Sequence, residues 1–362
     1  MARLLYFGPL NWGSTSLQRM EALHKCVDHV YGVDDRIFCG EYVTRNPFLR
    51  FQLRFGWGPA LHRASATLIT EIERYQPNIL WVNQGNCIAG WSLAAIQANG
   101  APLRVHYTPD SLTSPGFRNA FFARALKHYD LCFTNKPHEV DLYRTKGANA
   151  VFFVPTGFSP QIHRPVVLEG ANREKYGCDV AFVGQQMADR ARSVFRLLDQ
   201  VPCKLHLYGR QWDRGACGSR LGPLQRGWIY GDDYAKAICG AKICLGFLNR
   251  EVGDTYTQRT FEIPACGGFF LGERTEMHQH FFAEDKEAVY FGSDEELVDK
   301  VKFYLAHDDA RERIRLAGHR RAWCSGYTYE DRMRQCVGLC EQLLTSAGCR
   351  AALTAQPAYG HL

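Results

Sequence analysis

The 362-residue sequence has no Asp-x-Asp triplet, no Cys-x-x-Cys pair, no low-complexity tract and nothing near the roughly 20 consecutive apolar residues that cross a bilayer. Each absence narrows the chemistry. Asp34-Asp35, Asp232-Asp233 and Asp308-Asp309 are adjacent pairs that suit turns or helix caps, so a common way of holding a divalent cation beside phosphates is missing. The 14 cysteines are scattered. Their closest approach to a metal-ligand spacing is Cys336-Val-Gly-Leu-Cys340, and they read mostly as reduced core thiols. The opening Met1-Ala-Arg-Leu-Leu-Tyr-Phe-Gly8 is too short for a secretory apolar region and reads as a first strand. A cytoplasmic protein without transmembrane anchoring is expected, with peripheral membrane contact left open. Net charge is +6 and the isoelectric point near 8.6, short of the pI above about 9 of a dedicated nucleic-acid domain. That surplus would suit small anionic ligands without choosing one.

What is present is an ordinary globular composition, 46% hydrophobic and 22% charged, in a chain long enough for two α/β domains. Leu4–Phe7, Ile79–Val82, Leu103–Tyr107 and Leu131–Phe133 are short apolar runs bounded by turn residues, which predicts parallel βαβ units. After the first run, residues 8–14 form a loop, and Thr15 with Gln18 has capping-box spacing before a helix carrying Leu17, Met20, Leu23 and Val27. That loop is neither a GxGxxG fingerprint nor a P-loop, and a plain βα turn remains open for it. A linker is suggested from Val154-Pro155-Thr156-Gly157 through Pro160 and Pro165 to about Gly177. A second series then opens with Asp179-Val-Ala-Phe-Val-Gly184, and Ile229-Tyr230-Gly231 and Ile243–Leu248 read as further strands. Ser293 with Glu296 has capping-box spacing before another helix.

The most informative stretch is Asp254-Thr-Tyr-Thr-Gln-Arg-Thr-Phe-Glu262-Ile-Pro-Ala-Cys-Gly-Gly-Phe-Phe-Leu271. Read as a helix ending at Gly267-Gly268 and entering a strand, it puts Thr255, Arg259 and Glu262 on one face at i, i+4 and i+7. A guanidinium there can hold a diphosphate through paired hydrogen bonds, and a carboxylate one turn later can accept from both ribose hydroxyls. A solvated Arg259–Glu262 ion pair is the plain alternative.

Arg259-Thr-Phe-Glu262-Ile-Pro-Ala-Cys-Gly267-Gly268, followed in order by Lys286-Glu-Ala-Val289, Asp294-Glu-Glu-Leu297, Arg311, Ala317-Gly318 and Thr328-Tyr329, resembles the CgeB-like (spore maturation protein) family of GT-B glycosyltransferases. The likeness runs upstream through Asp179–Gly184 and Leu205-His-Leu-Tyr-Gly209, covers the second half of the chain well and the first half loosely. It implies a GT-B fold: two Rossmann-like domains facing a central cleft, residues 1–160 on the acceptor side and 161–328 binding nucleotide sugar. A final helix at about 329–350 is expected to pack back on the first domain.

The resemblance also implies roles. Arg259 is the first choice for the cation on the departing pyrophosphate, with Arg190, near the start of the helix after Gly184, as second; a surface role for Arg190 is equally open. Glu262 is expected on the ribose. Asp254 lies eight positions earlier, the spacing of a Glu-x7-Glu motif, yet is an aspartate where the pattern has glutamate. Its place on the donor sugar is weakly supported and a turn role is open. Thr257, Gly184, Tyr208, Trp228, Ile229 and Tyr230 are further donor-site candidates, the aromatics for the base, although such aromatics are more often core. Gly13 and Ser14 are candidates beside the donor phosphates or sugar. His106-Tyr-Thr-Pro-Asp110, at a strand end, offers Asp110 and then His106 as the base an inverting transfer needs; with retention the leaving phosphate could take the proton.

The expected activity is metal-independent transfer of a sugar from a nucleotide-diphosphate donor, UDP-sugar first, with no cofactor and no metal ligands. The acceptor is unassigned among glycan, protein, metabolite and modified nucleic acid. Two alternatives stand: a sugar-nucleotide epimerase of the same fold, and a non-catalytic glycan- or nucleic-acid-binding protein on a GT-B frame.

Overall fold

The computed structural model describes residues 2–39, 46–96, 101–113 and 120–345. The chain divides into two compact units, Met1–Thr156 together with Tyr329–Leu362, and Gly157–Thr328.

Unit 1 is built on a six-stranded parallel sheet: β1 Arg3–Gly8, β2 His29–Asp34, β3 Ile79–Asn83, β4 Leu103–Thr108, β5 Leu131–Thr134 and β6 Val151–Phe153, in the order β2-β1-β3-β4-β5-β6. β1 and β3 read as apolar runs because helices cover both faces, whereas β4 alternates and buries Arg104, His106 and Thr108 on its second face. All of β3 and β4 is buried. Leu4, Tyr6, Trp81, Val105, Tyr107 and Phe133 form the heart of the core. The helix Tyr329–Thr345 belongs to this unit, contributing Tyr329, Met333, Cys336, Val337 and Cys340 to the same core. The helix Thr15–Leu23 packs against it and carries the fully buried Arg19, whose guanidinium is 4.7 Å from the Tyr107 ring and 5.9 Å from that of Tyr329 and donates to Asn83 Oδ1 at 3.1 and 3.3 Å.

Unit 2 carries a five-stranded parallel sheet: β7 Cys178–Val183, β8 Leu205–Tyr208, β9 Ala241–Gly246, β10 Phe270–Glu273 and β11 Val289–Phe291, in the order β11-β10-β9-β7-β8. Val180, Phe182, Leu207, Ile243, Leu245 and Leu271 centre its core. β7 is joined to β8 on one side and β9 on the other, so the connections leave in opposite directions and open a crevice at the carboxyl ends of β7 and β9. In open α/β sheets that switch point is where ligands bind.

Four local expectations are corrected. Residues 229–231 are not a strand: Gly227 is left-handed (φ +78°) and the segment runs as a loop beside β8. The cap of the first helix is Ser14, whose Oγ accepts from Leu17 N–H at 3.1 Å, rather than Thr15. The helix of the Arg259 motif is short, Arg259–Ala265, because Pro264 supplies no N–H and Gly267 turns left-handed (φ +74°). Thr255 therefore precedes the helix and does not share its face with Arg259 and Glu262; its carbonyl accepts from Thr275 Oγ1 at 2.6 Å. Finally, β2, β6, β8 and β11 are strands that the apolar-run reading passes over.

Candidate functional site

The loops leaving β7 and β9 bring two arginines together. Arg190 stands in the first turn of the helix Ala188–Gln200, reached through Gly184–Met187 from β7; Arg259 opens the helix Arg259–Ala265, reached through residues 247–258 from β9. Both guanidinium carbons lie over the ring of Phe182, Arg190 at 5.7 Å and Arg259 at 5.4 Å. Gly184 packs under that ring, where a Cβ would come within 2.6 Å of Phe182 Cζ.

Arg190 is 6% exposed and donates to backbone carbonyls, to Leu248 O through Nε (3.2 Å) and Nη2 (2.9 Å) and to Gln185 O through Nη1 (3.0 Å). Burial first and the charge of Arg259 second push its proton affinity down to about 10, which leaves it cationic at neutral pH. Asp189, Asp254 and Glu273 offset part of that effect through their charges. Arg259 gives one hydrogen bond, Nη2 to Phe247 O at 3.3 Å, and its Nε has no hydrogen-bond partner among the described residues. Two partly desolvated like charges side by side cost stability, and an anion between them offsets that cost. Their forked donors suit phosphate oxygens.

Glu262 is one turn along from Arg259 and 7% exposed. Its Oε2 accepts from Tyr234 O–H at 2.6 Å, and its Oε1 is 3.6 Å from His163 Nε2. Burial and the Glu262 charge raise the Tyr234 phenol well above its usual range, whereas burial lowers the His163 imidazole against the pull of Glu262. The solvated ion-pair alternative for Glu262 is not what forms. Asp254 lies in the preceding turn, its N–H on Asn249 O at 3.1 Å, and Thr257 N–H is held by Thr260 Oγ1 at 3.1 Å.

On the β8 side, Gly209 (φ +130°) lies so close to Gly184 that a Cβ would sit 2.2 Å from the Gly184 carbonyl oxygen, and Gln186 N–H bonds Arg210 O at 3.1 Å. The loop after β8 is thereby pinned to the loop after β7. Beyond it, Trp228 is half exposed with the Arg210 guanidinium 3.7 Å over its ring, and Tyr230 lies beside it at 5.7 Å. Ile229 packs inward against the cluster of Tyr176, Cys178 and Tyr208. Tyr208 itself is 2% exposed in that cluster, its hydroxyl 3.3 Å from His206 Nδ1, so its ring is core rather than a base platform.

In unit 1, Gly13 makes a left-handed turn (φ +81°), and the Ser14 hydroxyl, besides capping, donates to Pro9 O at 3.3 Å. Asp110 is half-buried past the end of β4 and accepts from Gln84 Nε2 at 2.5 Å. His106 does not fit a base: it is fully buried among Phe122, Tyr129 and Tyr143, its Nε2 is 3.1 Å from Gln84 O, and burial pushes it down to about 4.

Comparisons with known proteins bear on the family and the fold. Residues 186–338 match the family model described as glycosyl transferase-like. Sucrose-phosphate synthase from Thermosynechococcus elongatus superposes with a TM-score of 0.67 at 14% identity, over 95% of this chain and 99% of that one. The Anabaena protein Alr3699/HepE in complex with UDP-glucose gives 0.65 at 12% identity, over 95% and 100%. The fold is GT-B. A Listeria monocytogenes protein described as a UDP-N-acetylglucosamine 2-epimerase shares this GT-B architecture, with a TM-score of 0.57 at 11% identity over 95% and 97%. No curated protein matches the sequence. The glycosyl transferase-like stretch of this GT-B chain contains Arg190, Arg210, Trp228, Tyr234, Arg259 and Glu262.

Sequence reading missed Phe182, Arg210, Tyr234 and His163. Arg210 could have been found, because it follows the carboxyl end of β8 just as Arg190 and Arg259 follow β7 and β9. Phe182, Tyr234 and His163 carry no local signal, since each acquires its part only through tertiary contact. Among the described residues no helix is long and apolar enough to cross a membrane.

Proposed function

We propose that the protein is a metal-independent glycosyltransferase of the CgeB-like type that moves a sugar from a nucleotide-diphosphate donor, UDP-sugar first, to an acceptor hydroxyl. The observation that carries this reading is the Arg190–Arg259 pair over Phe182. As the bond from the anomeric carbon to the β-phosphate oxygen breaks, negative charge grows on the departing diphosphate. Fixed cations in a partly desolvated crevice stabilise that charge without the reorganisation that water would need. Arg259, with a donor to spare, acts on the phosphates; Arg190, tied to Leu248 and Gln185, holds the second charge in place. Glu262 accepts from the ribose hydroxyls, and the Trp228–Tyr230 shelf takes the base. Asp254, Thr257, Gly13 and Ser14 remain candidate contacts to the donor.

The new bond forms between the acceptor oxygen and the anomeric carbon. The acceptor proton goes to Asp110 in an inverting reaction or to a phosphate oxygen of the leaving group in a retaining one. The occurrence of UDP and UDP-glucose in complexes of Alr3699/HepE supports UDP as the first nucleotide to try. The same fold in a protein described as an epimerase keeps rearrangement of the donor as the second reading. The test is release of nucleoside diphosphate from a panel of UDP-, GDP-, CDP- and dTDP-sugars, with a chelator present and candidate acceptors added in turn. Acceptor-dependent release that survives chelation supports the proposal; release that needs no acceptor and leaves a rearranged sugar supports the epimerase. Loss on chelation with recovery on adding manganese overturns the metal-independent mechanism.

A further inference from the structure

A surface of unit 1, separate from every residue discussed above, has the make-up of an interfacial membrane anchor. The helix Pro47–Phe55 is well formed for its length: Asn46 Oδ1 accepts from Phe48 N–H at 3.0 Å and Leu49 N–H at 3.3 Å, Pro47 occupies its first turn, and Gly56 (φ +65°) closes it by donating to Gln52 O. Gln52, 4% exposed, pins it to the next helix by accepting from Ala60 N–H at 2.9 Å. The turn between them is tight, because Gly58 adopts φ +142° and a Cβ there would meet the Gln52 side chain at 2.3 Å.

That pinning leaves the aromatic side chains outside. Phe48 is 63% exposed, Phe51 50%, Phe55 61% and Trp57 75%. Positions 48, 51 and 55 follow i, i+3, i+7 and form one row, with the Phe51 and Phe55 rings 4.5 Å apart. Arg50 and Arg54 are exposed on the neighbouring flank. Between Glu41 and Glu71 the sequence contains Arg45, Arg50, Arg54 and Arg63 and no aspartate or glutamate.

We propose that this helix, with Trp57, docks the protein on a bilayer containing anionic phospholipids. The aromatic row would enter the boundary between headgroups and acyl chains, and the arginines would meet lipid phosphates. Charge complementarity selects this occupant. A second copy of the chain would set arginines against arginines with no carboxylate in residues 42–70 to answer them, and the separation of aromatic and cationic flanks matches an interface between apolar and charged layers. The inference does not depend on the proposed transferase activity.

The test is co-sedimentation of the full chain with phosphatidylcholine vesicles, with and without added phosphatidylglycerol. Pelleting with the anionic vesicles, weakened by roughly tenfold or more in both Phe51→Ser/Phe55→Ser and Arg50→Glu/Arg54→Glu double variants, is the expected result. All four side chains are exposed, so unchanged melting temperatures would show that the variants remain folded. Failure to pellet with anionic vesicles, or pelleting of folded variants at the wild-type level, overturns the proposal. So would lipid-free self-association, or tight binding to a single-stranded RNA oligonucleotide, abolished by these substitutions in a protein that ignores vesicles.

Discussion

Arg190 and Arg259 reach the ring of Phe182 from loops that leave neighbouring strands, and each guanidinium sits within 6 Å of the ring centre. They are not equivalent. Arg190 spends its donors on Leu248 and Gln185 carbonyls, whereas Arg259 keeps its Nε without a hydrogen-bond partner among the described residues. Arg259→Met should therefore lower kcat by about a hundredfold, because a donor that engages developing charge stabilises the transition state more than the bound substrate. KM should change only a few-fold. Equal losses in affinity and rate would make Arg259 a plain anchor.

Removing Glu262 has a structural consequence that removing Arg259 does not. The buried Tyr234 hydroxyl donates to Glu262, so Glu262→Ala should cost about 1–3 kcal/mol of folding stability by leaving that group without its acceptor. It should also weaken nucleotide binding through lost ribose hydrogen bonds. Tyr234→Phe separates the two effects: it breaks the same internal hydrogen bond while leaving the carboxylate for the ribose. Nucleotide affinity near wild type in Tyr234→Phe and reduced by about tenfold in Glu262→Ala, by calorimetric titration, is the expected pattern. Identical behaviour of the two variants would remove Glu262 from the ribose.

The Trp228 shelf predicts a selective loss. Trp228→Ala should weaken binding of a nucleoside diphosphate by about tenfold, the scale of one base–aromatic stack, while leaving competition by inorganic pyrophosphate unchanged. A parallel loss for pyrophosphate would mean that the Arg210–Trp228 contact positions the phosphate site instead.

Buried histidines set an acid limit on stability. His106 in unit 1 and His278 in unit 2 are pushed from 6.5 to about 4, burial being the leading cause in both. Between those values the unfolded chain binds protons that the folded chain refuses, so stability is full above pH 6.5 and falls as pH drops toward 4. Two such groups give a slope of about 3 kcal/mol per pH unit if the units unfold together. Denaturant melts from pH 7 to pH 4.5 check this. A flat profile would mean that both imidazoles reach solvent, and a halved slope that one does.

Much of the architecture was legible because parallel sheets demand it. Runs such as Ile79–Val82 and Val180–Val183 are apolar throughout, and a strand covered on both faces leaves that mark. β2, with His29 and Gly32 at a sheet edge, and the three-residue β6 and β11 do not carry it. At the site, Arg259 and Glu262 stood out through motif and spacing, and Arg190 through its place after β7. The family layout offers Tyr208 and a strand-end position offers His106, but in a parallel sheet successive side chains alternate between faces, and both of these turn into helix-covered layers. Thr255 was placed by helical spacing in a segment where the helix had not yet begun.

The central claim is that the paired guanidiniums bind a diphosphate. It is tested most directly by calorimetric titration of UDP, GDP, CDP and dTDP, each against its own nucleoside, into the wild-type protein and Arg259→Met. The account predicts that at least one diphosphate binds about a hundredfold more tightly than its nucleoside, and that Arg259→Met removes most of this advantage, because the free diphosphate already carries the charge that a sugar-linked donor develops only as its bond breaks. Diphosphate and nucleoside binding with the same affinity, or an advantage untouched by Arg259→Met, would contradict it.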